Sequence, residues 1–451
     1  MADCPDYEAL VQVLYERHRS VRDAGFSGDA YKPGLDAMQS YAAFLGHPEQ
    51  RFRSIHVAGT NGKGSVCSML AAAFAARGLR VGLYTSPHLV DFRERIKIVE
   101  LKTFSVIPEN EVCRFLRLYD RPGLTFFEVT TGMAFWWFAE EKVDVAVIET
   151  GLGGRLDSTN IITPMVSVIT SIGLDHCDLL GSTRAEIAAE KAGIFKPGVP
   201  AVVWGRDAET QPVFERVAAS VGCPLYFAED FPLPAVAADR LDLTGPCQDL
   251  NLRTVLATLA IIDDRDLQPI DLQPHTQNRL PQKEQSVVAK SLENSGLRNT
   301  LSTNLAAICA AGRITGFRGR WERLLSDPLT ICDIGHNPPA LKATFDRLAQ
   351  LRHHKPLLVV YGAMKDKDVD TIAALLPTDA EYFLVQPDTP RAMPLEELAL
   401  KLKHFHPVAA GSVSNGVELA LRRARELEAP IVYIGGSTFV VSEAITYIES
   451  L

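Results

Sequence analysis

Short apolar runs alternate with longer amphipathic stretches along the chain, and each kind of stretch predicts a different element. The run 143–148, VDVAVI, has the composition of a parallel strand that is buried on both faces. Stretches with helical spacing lie between such runs, which is the order that produces βαβ units and a mostly parallel sheet. The strands predicted for the first half of the chain are 55–58, 81–84, 143–148, 166–169 and 200–205.

The predicted helices differ in how much of their surface is apolar. The stretch 124–141, LTFFEVTTGMAFWWFAEE, is predicted to be a buried helix that begins near Thr125. An alanine-rich amphipathic helix is predicted at 69–77. The other helical patterns are 5–50 with a break near 26–33, 186–198 stopping before Pro197, and the later part of 243–262.

A second series of alternating predicted strands and helices begins at Thr315 and indicates a smaller doubly wound domain. The chain is therefore expected to divide into domains at 1–312 and 313–451. Residues 264–303 are rich in Gln, Asn, Pro and charge and poor in aromatics, which indicates a surface insertion in the first domain. The strands predicted for the second domain are 329–334, 357–361, 382–385 and 431–434.

Composition and charge narrow the class of protein. The 451 residues include 47% hydrophobic and 22% charged residues, as in ordinary globular proteins. The net charge of −9 argues against non-specific binding to nucleic acid, and no apolar run is long enough to span a bilayer. Eight cysteines without a C-x-x-C pair, and a first segment without the parts of a signal peptide, predict reduced thiols in a cytoplasmic protein.

The stretch 52–65, FRSIHVAGTNGKGS, combines a strand, a glycine-rich turn and the start of a helix. Glycines let successive N–H groups point at one anion, and a helix N-terminus and Lys63 add positive charge. Val57 replaces the first glycine of the usual G-x-x-x-x-G-K-[ST] pattern, and Gly64 separates Lys63 from Ser65. The residues predicted to bind nucleotide phosphates are Gly59, Thr60, Asn61, Gly62, Lys63, Gly64 and Ser65.

Polar side chains follow three of the predicted strands, at the edge where open α/β sheets bind ligands. Ser86, Glu149 and His176 each come just after such a strand. Hydroxyl and carboxylate oxygens suit Mg²⁺, which keeps several waters and needs few protein ligands, whereas imidazole suits it less. Each residue alone could instead cap a helix, form a salt bridge or close a turn. Their joint occurrence favours a metal site beside the nucleotide phosphates.

Six motifs in a fixed order cover most of residues 50–340. They are GTNGKGS, TSPHL, ETGLGGRLDSTN, LDH, EKAGIFKPG and, after a GR pair, DIGHNP. Together they resemble folylpolyglutamate synthase and dihydrofolate synthase, the folate-linked members of the Mur ligase superfamily. The resemblance implies a P-loop-type α/β ATPase domain followed by a smaller Rossmann-like α/β domain. It also implies ATP-dependent joining of L-glutamate to a carboxylate through an acyl phosphate.

The same resemblance implies roles in the ATPase domain. Lys63 and the loop amides bind the ATP phosphates, while Ser86 and Glu149 hold one Mg²⁺. His176 holds a second Mg²⁺. Lys191 matches a lysine that is carbamylated in the family, and the carbamate is a ligand of that second metal. Without the family, Lys191 reads as a solvated lysine near the end of a helix.

Further roles implied by the resemblance lie elsewhere in the chain. Asn251 belongs to an element near the nucleotide, and Arg320 matches the arginine of the segment between the domains. Asp333 is the expected ribose contact. His336 closes over ATP and is a candidate base for the glutamate amine. The residues assigned to the folate substrate are Thr125, Phe127, Gly153 and Arg155.

The chain departs from the family pattern near the expected domain boundary. Closure of the two domains about residues 312–320 is expected, because excluding water strengthens contacts to two anionic substrates. The insertion at 264–303 is longer than the family usually has. The substitutions are Phe317 where Trp is common, Arg318 in place of Pro, and Gly335 in place of Ala.

The expected small-molecule partners are ATP, two Mg²⁺ ions, L-glutamate, and dihydropteroate or a reduced folate, and a monomer is expected. One alternative is a Mur-type ligase that acts on another carboxylate, although little chain precedes the phosphate loop to hold a nucleotide sugar. Another alternative is a regulatory nucleotide-binding protein. A GTPase would need an N-K-x-D motif, and the nearest string, MKDKD at 364–368, lacks the Asn. Whether dihydropteroate, folylpolyglutamates or both are extended stays open.

Overall fold

The computed structural model describes residues 6–18, 34–231, 240–245, 247–262 and 304–451. The insertion predicted at 264–303 and the helix break predicted near 26–33 lie outside the described residues.

The chain forms two compact units. The first unit comprises Met1–Pro87, Arg93–Asp242 and Gln248–Phe317. The second unit comprises His88–Phe92, Leu243–Cys247 and Arg318–Leu451.

An eight-stranded sheet forms the centre of the first unit, in the order β4-β3-β2-β5-β1-β6-β7-β8. The six strands β2, β5, β1, β6, β7 and β8 pair in parallel. Strands β3 and β4 extend the sheet beyond β2 through antiparallel pairs. The central strands are apolar and buried, as parallel strands covered on both faces require. The strands are β1 Arg53–Ala58, β2 Val81–Tyr84, β3 Ile96–Glu100, β4 Thr103–Val106, β5 Val145–Glu149, β6 Val166–Ile169, β7 Ala201–Val203 and β8 Leu225–Phe227.

Helices cover this sheet. Helix α3 is buried along almost its whole length, and its alanines allow close packing on neighbouring elements. Helix α5 begins with a capping box between Thr125 and Glu128. The helices described for the first unit are α1 Tyr7–Arg17, α2 Asp36–Phe44, α3 Lys63–Ala76, α4 Glu109–Tyr119, α5 Phe126–Glu140, α6 Cys177–Leu180, α7 Arg184–Ala192, α8 Gln211–Val221, α9 Gln248–Ile261 and α10 Ala311–Thr315.

The second unit has a six-stranded sheet in the order β13-β12-β11-β14-β10-β9, in which only the β9–β10 pair is antiparallel. Separate apolar clusters cover its two faces, as in a doubly wound fold. The strands are β9 Glu322–Ser326, β10 Leu329–Asp333, β11 Leu357–Tyr361, β12 Glu381–Val385, β13 Val408–Gly411 and β14 Ile431–Gly435. The helices are α11 Pro338–Arg352, α12 Val369–Ala373, α13 Leu395–Lys401, α14 Val413–Ala424 and α15 Thr438–Glu449.

The predicted α/β fold class with two mostly parallel sheets is confirmed, and the element boundaries differ in detail. Strand β5 begins at Val145 rather than at 143. Asp144 lies in a bend before the strand, and its carboxylate accepts the N–H of Arg80, a residue distant in sequence, at 2.7 Å. Helix α3 begins at Lys63 rather than at 69, directly after Gly62. Strands such as β4 and β9 were not predicted, because their alternating or exposed side chains lack a continuous apolar run.

The cysteine prediction is wrong at one position. Six cysteines of the described residues are free thiols, whereas Cys113 on α4 is disulfide-bonded. A disulfide joins residues that are close in space, so the spacing of cysteines along the chain gives no sign of it. Of the helices in the described part, none is both long and apolar enough to cross a membrane.

Candidate functional site

The phosphate loop joins β1 to α3, and two of its glycines are required by their surroundings. Gly62 precedes the helix with φ 91°, and a Cβ there would lie 2.2 Å from Asn251 Oδ1. Gly59 has φ 153°, and a Cβ there would lie 1.8 Å from Thr170 Oγ1. Neither the conformation nor the space admits a side chain at these positions. The loop therefore presents bare backbone at the N-terminus of a buried helix.

The segment that follows β6 holds the phosphate loop in place. Thr60 N–H donates to the Ser171 carbonyl oxygen at 2.8 Å, and Ser171 Oγ donates to the Asn61 carbonyl oxygen at 3.1 Å. The Thr60 hydroxyl donates to the carbonyl of Gly173 at 3.1 Å. These bonds fix the loop without using the N–H groups at the start of α3, which suits a preorganised anion site.

Two lysines converge on one carbonyl of the loop. Lys63 Nζ donates to the Gly59 oxygen at 3.2 Å and to the Thr60 oxygen at 3.4 Å. Lys191 Nζ on α7 donates to the same Gly59 oxygen at 2.8 Å. Lys63 Nζ also lies 4.0 Å from Glu149 Oε1. Two basic side chains therefore border the loop, which suits phosphate binding.

Lys191 is not the solvated helix lysine that its sequence position alone suggests. Its side chain is buried, with only 4% of the residue exposed. Burial, and then the positive charge of Lys63, lower the pKa of Lys191 from 10.5 to about 7. A large share of Lys191 is therefore a neutral amine near neutral pH, and a neutral amine is the form that can react with carbon dioxide.

The predicted metal ligands follow three of the four strands β2, β5, β1 and β6, which are consecutive in the sheet. Ser86 follows β2 and Glu149 ends β5, and His176 lies beyond β6. The order β2-β5-β1-β6 places the phosphate loop, which follows β1, between the ends of β5 and β6. Ser86 N–H donates to Glu149 Oε2 at 3.1 Å, so these two residues are in contact.

His176 occupies the left-handed region (φ 53°) and precedes α6, and its N–H donates to Asp175 Oδ1 at 3.1 Å. Among the described residues, His, Cys, Asp and Glu side chains form no group of three that could enclose a metal ion. The oxygens of Ser86 and Glu149 nevertheless fit Mg²⁺, because this ion keeps most of its water and takes one or two carboxylates.

The second glycine-rich loop, 151–155, is held by two residues that the site prediction missed. Asp157 is buried and accepts N–H groups from Leu152 at 2.8 Å and from Thr159 at 3.0 Å, and burial raises its pKa. Asn160 Nδ2 donates to the carbonyls of Arg155 and Gly193, both at 3.0 Å. An Asp and an Asn just after a glycine-rich turn are the sequence signal that could have identified this anchoring.

The residues assigned to the folate substrate lie along this loop and at the start of α5. Thr125 caps α5, where its hydroxyl accepts the Glu128 N–H at 3.2 Å. The Phe127 ring lies over Gly151, where a Cβ would be 2.5 Å from its Cζ, and it stands 5.9 Å from the Tyr84 ring.

The other two residues in this group also have partners within the first unit. Gly153 adopts φ 66° beside Leu180. The Arg155 guanidinium donates to Glu190 Oε1 at 2.8 Å. The role of these four residues in binding a substrate stays a prediction.

Helix α9 supports the start of α3. Asn251 Nδ2 donates to Gln248 Oε1 at 3.0 Å, and Gln248 Nε2 donates to Ser65 Oγ at 3.4 Å. Both side chains are buried, and Asn251 lies directly over Gly62. Gln248 was not among the predicted site residues, although it stands three positions before Asn251 and so shares its helix face.

The predicted residues of the second unit form their own cluster at the end of β10. Asp333 accepts the N–H of Trp321 at 2.9 Å and of Gly335 at 2.7 Å. Burial raises its pKa, and the charge of Arg320 opposes that rise. A Cβ on Gly335 would lie 2.8 Å from Asp333 Oδ1, so glycine relieves this contact. His336 Nδ1 donates to the Ile334 carbonyl at 3.0 Å, which leaves the lone pair of the neutral ring on Nε2.

Comparison with known proteins agrees with this architecture. The Mur ligase middle domain matches residues 57–227, and the Mur ligase glutamate ligase domain matches residues 319–437. The dihydrofolate synthase/folylpolyglutamate synthase of Bacillus subtilis is 31% identical over 430 residues, which cover 91% of this chain and 94% of that protein.

Two further comparisons concern a longer relative and a solved structure. A Halobacterium salinarum protein named "Probable bifunctional folylpolyglutamate synthase/dihydropteroate synthase" is 35% identical over 92% of this chain, and the chain spans 49% of its length. A bifunctional folylpolyglutamate synthase/dihydrofolate synthase with Mn, AMPPNP and L-glutamate bound aligns with a TM-score of 0.74 at 28% identity, covering 98% of both chains. The chain belongs to the folylpolyglutamate synthase/dihydrofolate synthase family of the Mur ligases, a family of ATP-dependent ligases.

Proposed function

We propose that the chain uses ATP to join the amine of L-glutamate to the carboxylate of dihydropteroate, of a folylpolyglutamate, or of both. The observation that carries the proposal is the loop after β1, which has two lysines on one side and neighbouring strand ends with Ser86 and Glu149. The relative solved with Mn, AMPPNP and L-glutamate supports the same substrates. We propose ATP and a divalent metal as this chain's own ligands on that basis.

The reaction follows from the poor electrophilicity of a carboxylate. One carboxylate oxygen attacks the γ-phosphorus of ATP, the bond to ADP breaks, and an acyl phosphate forms. The neutral amine of glutamate then attacks the acyl carbon. Phosphate leaves and takes one former carboxylate oxygen with it, and an amide remains. The amine gives up its proton in this second step.

The residues of the first unit would stabilise the charge that gathers during the first step. Lys63 and the N–H groups at the start of α3 would hold the phosphate oxygens. Ser86 and Glu149 would hold a divalent metal, which when bound offsets the charge of the phosphates. Asn251 would contact the nucleotide from α9.

We propose that Lys191 is carbamylated and that His176 shares the second metal with it. The neutral amine attacks carbon dioxide, an N–C bond forms, a proton leaves, and an anionic carbamate remains. The buried environment and the lowered pKa of Lys191 support this proposal, because an ammonium group cannot react in this way.

We propose roles for three residues of the second unit. Asp333 would accept a hydrogen bond from the ribose, because each carboxylate oxygen accepts a single N–H from the described residues of its unit and can accept more than one. Arg320 would add positive charge for the nucleotide. His336 Nε2 would accept the proton that the glutamate amine loses, because Nδ1 is the donor to the Ile334 carbonyl.

We also propose a cytoplasmic monomer. The six free thiols of the described residues support a reducing compartment, and the disulfide-bonded Cys113 counts against it. Sedimentation velocity would test the oligomeric state.

Glutamate-dependent release of ADP from ATP and Mg²⁺ tests the proposed function, with dihydropteroate in one reaction and tetrahydrofolate in another. Activity with both substrates would make the enzyme bifunctional, and activity with one would assign the step. If neither reaction releases ADP although the protein still binds ATP, the proposal is overturned. That result would favour a Mur-type ligase for another carboxylate or a regulatory nucleotide-binding protein.

A further inference from the structure

The ring of Phe317 lies against the phosphate helix, next to Glu149. A Cβ placed on Gly64, the second residue of α3, would lie 2.5 Å from Phe317 Cζ and 3.5 Å from Glu149 Oε2. The ring and the carboxylate therefore border the same point of the helix. Gly64 is also one of the two positions at which this loop departs from the usual pattern, and its lack of a side chain makes room for the ring.

The end of α10 fixes the position of Phe317. Gly316 takes the left-handed conformation (φ 59°), and Phe317 N–H donates to the Gly312 carbonyl at 3.0 Å, which closes the helix end. Lys97 Nζ donates to the Gly316 carbonyl at 3.0 Å and to the preceding carbonyl at 2.9 Å. The backbone on the N-terminal side of Phe317 is therefore held at several points.

We propose that Phe317 is a positioning residue for the divalent cation: its ring keeps water from the Gly64 side of Glu149 and so strengthens the hold of the carboxylate on the metal. The inference rests on the proposed function, because it takes Glu149 as a metal ligand. An apolar surface beside a carboxylate lowers the local dielectric, and electrostatic attraction grows as the dielectric falls. Phe317 itself touches neither nucleotide nor metal in this account.

The test measures Mn²⁺ and ADP binding rather than turnover. Free Mn²⁺ is followed by electron paramagnetic resonance in the presence of ADP, for the wild-type chain and for Phe317→Ala. We expect the dissociation constant of Mn²⁺ to rise about tenfold in the variant. The affinity for ADP in EDTA and the melting temperature should stay close to the wild-type values. Phe44→Ala is the matched control, because Phe44 is a half-exposed ring of the same unit that stacks on Tyr41.

Each other outcome overturns the inference. Equal Mn²⁺ affinity in wild type and Phe317→Ala would overturn it and leave the proposed function standing. An equal loss of ADP affinity in EDTA would show that the ring supports the loop and not the carboxylate. If the wild-type chain itself fails to bind Mn²⁺ with ADP, the proposed function fails together with the inference.

A second variant tests the placement of the ring. The methyl group of Gly64→Ala would collide with the Phe317 ring, so this variant should bind Mn²⁺ and ADP more weakly. Combining it with Phe317→Ala removes the collision and should recover part of the affinity lost in Gly64→Ala. A double variant as weak as Gly64→Ala would contradict the contact.

Discussion

At the scale of single residues, the phosphate loop depends on where two lysines place their charge. Lys63 and Lys191 both donate to the Gly59 carbonyl, but Lys191 is buried and Lys63 is partly exposed. Burial, and then the positive charge of Lys63, lowers the pKa of Lys191. Lys191 can therefore supply a neutral amine, while Lys63 stands at the first position of the phosphate helix.

Replacing Lys63 by Ala should abolish ligation and leave the fold intact. The side chain contacts two loop carbonyls and lies 4.0 Å from Glu149 Oε1, so its loss removes charge for phosphate and little packing. We expect kcat/KM for ATP to fall by at least about a hundredfold. Steady-state kinetics and circular dichroism check this. Lys342→Ala, which removes an exposed lysine paired with Asp346, is the control, and Lys63→Ala turnover near the wild-type rate would contradict the role.

Lys191 should carry a carbamate in the presence of bicarbonate. Its neutral amine reacts with carbon dioxide, so ¹³C-bicarbonate should give a protein-bound carbamate signal in ¹³C spectra at neutral pH. The signal should be missing from Lys191→Ala, whose activity should fall and be partly restored by a small carboxylate that enters the vacated space. A wild-type enzyme that is fully active without the signal would remove the role of the carbamate.

At the scale of elements, the loops at the carboxyl ends of the strands are fixed by buried polar residues. Asp157 holds the loop 151–155 by accepting the Leu152 N–H, and it also accepts the N–H and the hydroxyl of Thr159, which follows the loop. The amide group of Asn would oppose those N–H groups with donors of its own.

Asp157→Asn should loosen this loop. We expect the free energy of unfolding to fall by about 1–3 kcal/mol, because a buried N–H loses its acceptor. KM for the pteroyl substrate should rise more than KM for ATP, since the loop carries the predicted substrate residues. Denaturant unfolding and steady-state kinetics measure the two effects. Asp346→Asn, at an exposed position, is the control, and an unchanged stability of Asp157→Asn would contradict the anchoring.

Lys97 ties β3 to the end of α10 and should make stability depend on pH. Burial lowers its pKa from 10.5 to about 8 in the folded chain, and Glu94 opposes this shift. Between about pH 8 and 10.5 the unfolded chain therefore binds more protons at Lys97 than the folded chain does, so stability rises with pH in this window.

The comparison of wild type with Lys97→Met isolates this contribution. As pH rises from 8, the unfolding free energy of the wild type should increase relative to that of Lys97→Met, by up to about 1.4 kcal/mol for each pH unit. Urea unfolding at several pH values measures it. A difference that stays constant or moves the other way would contradict the assignment.

At the scale of the whole molecule, the pattern of apolar runs predicted the buried strands better than it predicted the contacts between residues of the site. Continuous apolar runs such as 81–84 and 166–169 coincide with β2 and β6, because strands buried on both faces leave that pattern. Exposed edge strands such as β4 leave no such pattern. The order of the strand ends, which brings Ser86 and Glu149 into contact, follows from the sheet and not from their spacing along the chain.

The same limit applies to the residues that support the site. Gln248 acts through a hydrogen bond to Ser65, which is far away in sequence, so the motifs give no sign of it. Asp157 lies within a motif, but its role depends on being buried beside the backbone N–H of Leu152. The buried state of Lys191 likewise depends on α7 packing against the phosphate loop. Sequence alone therefore indicates which residues have reactive groups, and the fold determines their charge.

The most direct test of the central claim follows oxygen atoms through the reaction. Dihydropteroate, or the folate that proves active, is labelled with ¹⁸O in its carboxylate and incubated with ATP, Mg²⁺ and L-glutamate. The account predicts that each turnover transfers one ¹⁸O from the carboxylate to inorganic phosphate, because phosphate leaves the acyl phosphate with that oxygen. Phosphate without ¹⁸O, released together with labelled amide product, would contradict activation through an acyl phosphate.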